Sequence, residues 1–149
     1  MLISRTTGSA SVVPELVYAD VEEAVQWLCD TFGFGELWRI GGHRARLAFG
    51  NGVLIVADHD PGHGRNLPGE GELRSYSIMV KVENVDAHHD HARRNGARIL
   101  SPPTDYSYGE RQYSVEDLVG HHWTFTQAIA DLAPEDWGGT SRAQPAGDQ

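Results

Sequence analysis

The chain repeats one pattern of elements about 64 residues apart, and that repetition limits the folds open to it. The first copy, PELVYADVEEAVQWLCDTFGFGEL from Pro14, reads as strand, cap, helix and stop. Leu16 and Tyr18 alternate with Glu15 and Val17, the period of a strand. Asp20 takes the N-cap position, with Glu22 and Glu23 in the first turn, where the helix dipole favours them. Val21, Ala24, Val25, Leu28 and Phe32 recur at helical spacing, and Gly33 is the stop. In the second copy, YSIMVKVENVDAHHDHARRNGARIL, Ile78, Val80 and Val82 alternate. Asn84, Val85 and Asp86 stand where Asp20, Val21 and Glu22 stood, and Gly96 replaces Gly33. A hairpin follows each copy. HRARLAFGNGVLIVAD turns at Asn51-Gly52, a strong two-residue signal, and GERQYSVEDLVGHHWTFTQ turns at Asp117 to Gly120. Each half therefore predicts a strand, a helix and about three further strands.

A chain of 149 residues accommodates two closely packed halves as a single domain, 1–149, with a core that needs no disulfide. The first module spans 12–58 and the second 76–127. Between them, 59–75 is rich in Gly and Pro and reads as a linker loop. Residues 128–149 read as an arm, a short helix or extended stretch ending near Trp137, then a disordered tail of about ten residues. The lone Cys29 excludes an internal disulfide and a multi-cysteine zinc site, and its place in the helical stripe suits a core thiol. Net charge is −9, from 21 acidic against 12 basic residues, which argues against nucleic acid as a partner. No apolar run approaches the roughly 18–20 residues of a membrane span, and MLISRTTGSASVV lacks the apolar centre of a signal peptide. The expected location is cytoplasmic.

PELVYADVEEAVQWLCDTFGF, VKVENVDAHHDHARRNGARI and EDLVGHHWTF together resemble the glyoxalase/bleomycin-resistance/extradiol-dioxygenase superfamily, also called vicinal oxygen chelate, over Val12 to Gln127. Pro14 and GHHW bring the chain nearest the bleomycin-resistance-like and glyoxalase-like branch. The resemblance implies an α+β fold in which two βαβββ modules form a curved, mixed eight-stranded sheet around a central cavity, helices outside. It also implies a homodimer, and in catalytic members a divalent metal held by His, Gln or Glu. Those ligand positions fall near Val13, Ile55, Ser77 and Thr124, none of which divalent metals favour. The expectation is a protein without the usual metal or any other cofactor, with a metal on other ligands left open.

The histidines divide by setting. His121 closes the second hairpin's turn, while His122 shares a strand face with Thr124 and Thr126 and looks into the cavity. His88, His89 and His91 fall on a highly charged helix and read as a solvated outer face, although His88 and His91 have chelating spacing. His59 and His63 lie in the linker beside Asp58 and Asp60. Pairing Tyr113 with Thr124 and Arg111 with Thr126, and Ala48 with Ile55 and Arg46 with Ala57, defines a cavity wall. Its candidate ligand contacts are Glu15, Arg46, Arg111, Tyr113, His122 and Thr124, with Trp38 as pocket wall or packing.

Guanidiniums on such a wall suit a small polar, anionic or aromatic molecule. The leading expectation is a bleomycin-resistance-like or glyoxalase-like binder that performs no chemistry. The alternative is a divalent-metal-dependent lyase, isomerase or dioxygenase with non-standard ligands drawn from His122, Glu15 or Glu110, the metal acting as Lewis acid. A third is metal-free acid–base chemistry with Glu15 or His122 as base.

Overall fold

The computed structural model describes residues 2–69, 75–143 and 145. The first half comprises β1 (Glu15–Tyr18), α1 (Val21–Phe32), β2 (Gly35–Ile40), β3 (Arg44–Phe49) and β4 (Gly52–Asp58). The second comprises β5 (Ile78–Lys81), α2 (Val85–Arg94), β6 (Arg98–Tyr106), β7 (Glu110–Glu116) and β8 (His122–Ala128). The repeated βαβββ grammar is present in full. The strands stand as two four-stranded sheets, ordered β1-β4-β3-β2 and β5-β8-β7-β6. Among the described residues no strand pair joins them into the single eight-stranded sheet that the family resemblance implies. β1 and β5 run parallel to β4 and β8, and the remaining pairs are antiparallel.

Both helices begin as read. Asp20 accepts from Glu23 N at 3.0 Å and Asn84 from Ala87 N at 2.9 Å. Each helix covers one face of its sheet, and those faces meet in one apolar core. The Phe32 ring of α1 lies 5.3 Å from Trp123 and 4.8 Å from Phe125, both on β8. Full burial of side chains this size stabilises by about 1.5–3 kcal/mol each. Because the helix-bearing faces share a core, the other face of each sheet points away from it. Cys29 is partly buried beside this core, and burial raises its thiol pKa.

The hairpins depart from their expected registers in different ways. In the first, Phe49 pairs with Gly52, so the turn is Gly50-Asn51 with φ 55° at Gly50, a glycine-first turn rather than Asn51-Gly52. Arg46 then faces Ile55 and Arg44 faces Ala57, a shift of two that leaves every side chain on its expected face. In the second, Glu116 pairs with His122, so the loop holds 117–121. Tyr113 pairs with Phe125 and Arg111 with Gln127, a shift of one that sends both to the helix-bearing face.

Buried polar contacts fasten the halves together. The Asp117 carboxylate accepts from Tyr18 OH at 2.6 Å and Trp123 Nε1 at 3.1 Å on one oxygen. Its other oxygen accepts from the backbone N–H groups of Val119 and His121. His121 donates from Nε2 to the Val17 carbonyl at 2.7 Å and accepts at Nδ1 from Tyr76. The helical histidines are not simply solvated. His88 donates from Nε2 to the Phe32 carbonyl at 2.8 Å, and His91 donates to the Asp30 carbonyl at 2.6 Å. These are last-turn carbonyls of α1, whose own last turn carries no basic residue. With Nε2 protonated, His88 Nδ1 accepts from Tyr113 OH at 2.5 Å, and burial raises that phenol's pKa so that it stays a donor.

The arm docks rather than trails. Ile129 N donates to the Gly109 carbonyl at 2.8 Å, and Trp137, ending a 3-10 turn from Pro134, meets the Tyr108 ring. Tyr108 in turn stacks on Tyr106. Of the final ten residues, expected to be disordered, 144 and 146–149 lie outside the described residues, while Ser141 N donates to Glu135 at 2.6 Å.

Asp117→Asn turns an amide N–H toward donors and is expected to cost about 2–4 kcal/mol in urea unfolding. Burial, the main cause, holds the His88 imidazole below its ordinary 6.5, and nearby His91 adds to the effect. The unfolded chain therefore takes up this proton first as pH falls. The His88 contribution should be full above pH 6.5 and decline as pH drops toward the folded-state value. Urea midpoints at several pH values should show this dependence reduced in His88→Gln, and an equal slope in both proteins would contradict it.

Candidate functional site

The two open faces carry the polar side chains available to a ligand. On the second sheet they form three separate hydrogen-bonded groups. His122 donates from Nε2 to Glu116 Oε1 at 3.0 Å, and Arg98 reaches the other Glu116 oxygen at 3.3 Å. Thr126 donates to Glu110 at 2.5 Å and accepts from Gln112 at 3.2 Å. Thr124 Oγ1 lies 3.0 Å from Ser77 Oγ. His122 and Thr124 thus stand on this face as the sequence places them. Their cross-strand partners are Glu116 and Ser114, which the sequence reading missed. The alternation in ERQYSVE held the signal: Tyr113 and Val115 are its apolar members and match Trp123 and Phe125.

The first sheet's open face holds Glu15, Arg44 and Arg46, with Trp38 paired beside Arg46. Arg44 donates to Glu15 at 2.5 Å. Arg46 makes no hydrogen bond or ion pair among the described residues, and its Nε is buried without an acceptor. Trp38 pairs with Arg46 across β2 and β3, and its indole Nε1 is likewise buried and unmatched. A buried donor left unmade costs about 1–3 kcal/mol. The N-terminal turn, with Gly8 N donating to Ser4 O at 2.8 Å, lies directly on the Arg46 guanidinium. A Cβ on Gly8, whose φ is 65°, would sit 2.5 Å from Arg46 Nη2.

Arg111 and Tyr113 are on the other side of the second sheet and do not join this set. Tyr113 is fully buried against α2, held by His88. Arg111 grips Asp105 through Nε at 2.6 Å and Nη2 at 3.2 Å, and reaches Asp86 at the start of α2 at 2.8 Å. The aspartates raise its pKa, and its guanidinium in turn lowers that of the Asp105 carboxyl.

The positions where the superfamily carries metal ligands do not suit a metal here. Val13 and Ile55 are hydrocarbon, Ile55 is buried, and the Ser77 and Thr124 hydroxyls satisfy one another. The substitutes Glu15, Glu110 and His122 do not converge. Glu15 belongs to the other sheet, and Glu110 lies about 20 Å along β7 from Glu116, which pairs with His122. Among the described residues no three His, Cys, Asp or Glu side chains form a group able to hold a metal. In the linker, His63 pairs with Asp60, and Arg65 spans Asp58 and Asp60.

Comparison with known proteins agrees with this architecture. The family model for the Glyoxalase/Bleomycin resistance protein/Dioxygenase superfamily matches residues 10–125. The crystal structure of TioX from Micromonospora sp. ML1 is 36% identical, with a TM-score of 0.66, covering 81% of this chain and 100% of that one. A glyoxalase/bleomycin resistance protein/dioxygenase from Nocardioides shares the fold at 22% identity and a TM-score of 0.58, covering 93% of each chain. An uncharacterized protein of Mycobacterium tuberculosis is 27% identical over 127 residues, covering 80% of this chain and 75% of its own length.

Arg111→Ala, which removes a surface ion-pair cluster, should lower the thermal midpoint slightly and less so in high salt, leaving small-molecule affinity unchanged. A marked loss of ligand affinity in this variant would return Arg111 to the site.

Proposed function

Since this chain belongs to the glyoxalase/bleomycin resistance protein/dioxygenase superfamily, we propose that it is a member that binds a small polar or aromatic molecule on an open sheet face without the superfamily's usual metal. The observation that carries this reading is the fate of the ligand positions. Ser77 and Thr124 hydrogen-bond to each other at 3.0 Å, and Ile55 places hydrocarbon where a ligand side chain would project. Neutral hydroxyls and aliphatic groups hold organic molecules better than divalent cations. Two copies would pair as a homodimer, each bringing an open face toward the other's, because one chain directs its own two faces apart. Light scattering at micromolar concentration reports that pairing directly, and a monomer would count against it.

A second reading is favoured by one contact. His122 is oriented by Glu116 at 3.0 Å on a half-buried open face, which suits a positioned general base. On that reading His122→Ala abolishes turnover of a bound molecule while leaving its binding in place.

Elemental analysis separates binding from metal chemistry. Untagged protein purified without chelator should carry less than about a tenth of an equivalent of divalent metal. Zinc, nickel and manganese should leave its thermal midpoint unmoved. Near one equivalent of metal, removable with loss of stability, would reverse the assignment.

A further inference from the structure

We propose that Trp38 and Arg46 form a two-donor subsite for an anionic oxygen acid, covered on one side by the turn from Ser4 to Gly8. Buried N–H groups find acceptors in nearly every folded protein. Here Trp38 Nε1 and Arg46 Nε, both unmatched, stand on directly paired residues of neighbouring strands, where β-carbons lie about 4.5–5.5 Å apart. Neither group can accept a hydrogen bond. A partner serving both must offer lone pairs in two directions, as a carboxylate or phosphate does. The guanidinium adds a fixed positive charge that no carboxylate among the described residues neutralises. Arg44 and Arg111 differ in this respect, being held by Glu15 and by Asp105 and Asp86.

The surroundings narrow the ligand further. Gly8 lets the backbone lie flat against the guanidinium, since any Cβ there would meet Nη2 at 2.5 Å. The chain thus packs against the Nη end of the guanidinium, while Nε is buried without an acceptor. The indole supplies a flat apolar wall beside its N–H, so an acid carried on a ring fits better than a bare anion. This assignment rests on the small-molecule reading above and names the chemistry of one end of the ligand.

Two-dimensional 1H–15N NMR tests it on the full chain. The Trp38 indole N–H is identified by its loss in Trp38→Phe, and the Arg46 Nε–H by its loss in Arg46→Gln. Sodium benzoate, benzamide and inorganic phosphate are titrated separately at constant ionic strength. Benzoate should move both resonances saturably, with benzamide about tenfold weaker or more. Arg46→Gln should weaken benzoate about tenfold and leave benzamide unchanged. Trp38→Phe, which keeps an aromatic wall, should weaken benzoate to a lesser degree and provides the test if Arg46→Gln does not fold. Phosphate moving both resonances at higher affinity than benzoate would support the subsite and assign it to free phosphate. Benzamide binding as tightly as benzoate would overturn the anion assignment and leave the small-molecule reading standing. Both resonances unmoved by benzoate and phosphate would overturn the subsite.

Discussion

The Asp117 carboxylate sits almost out of water between the two modules, and the geometry of the second sheet follows from it. A carboxylate in that position persists only where its lone pairs are met by donors. Tyr18 reaches it from the first module, Trp123 from β8, and two backbone N–H groups from its own loop. Meeting those donors takes five residues, 117–121, between β7 and β8. The loop length sets the register, and the register sets which side chains enter the core. Tyr113 and Val115 pair with Phe125 and Trp123 in one apolar layer, while Gln112, Ser114 and Glu116 are left on the open face. His121 is spent in the same junction, tying Val17 of β1 to the loop.

The helices complete that junction from the other side. α1 ends without a basic residue, and α2 supplies the missing donors through His88 and His91. A neutral imidazole serves well here because one nitrogen donates while the other accepts. The two modules thus share a core and a set of buried polar contacts, and each keeps an open face pointing away. Those faces differ in character. On the second, most polar groups have a partner, whereas the first keeps, among the described residues, an unmatched guanidinium Nε and an unmatched indole N–H, with the N-terminal turn on the guanidinium. Satisfied networks hold a surface rigid, and unmatched buried donors are rare enough in folded proteins to call for an explanation.

Much of the frame was legible in the chain before folding. The caps Asp20 and Asn84 and the stripe from Val21 to Phe32 are local features, governed by contacts within a few residues. The first hairpin shows how forgiving local reading can be. Placing its turn one residue late shifts the pairing by two, and strand faces have a period of two, so Arg46, Arg44 and Leu47 keep their sides. The second hairpin is not forgiving. One extra loop residue shifts the pairing by one and exchanges the faces of Arg111 and Tyr113 with those of Gln112 and Ser114.

By itself the sequence determined two βαβββ modules, their helix faces and the absence of suitable side chains at the superfamily's metal positions. All of these depend on residue identity and short-range periodicity. Tertiary structure alone decided which guanidinium stays unpaired among the described residues, which histidines become donors between helices, and which face of β7 lies open. Arg44, Arg46 and Arg111 are chemically alike in the chain. Only the approach of Glu15, Asp86 and Asp105, brought near by long-range strand pairing and helix packing, separates the two that are neutralised from the one that is not.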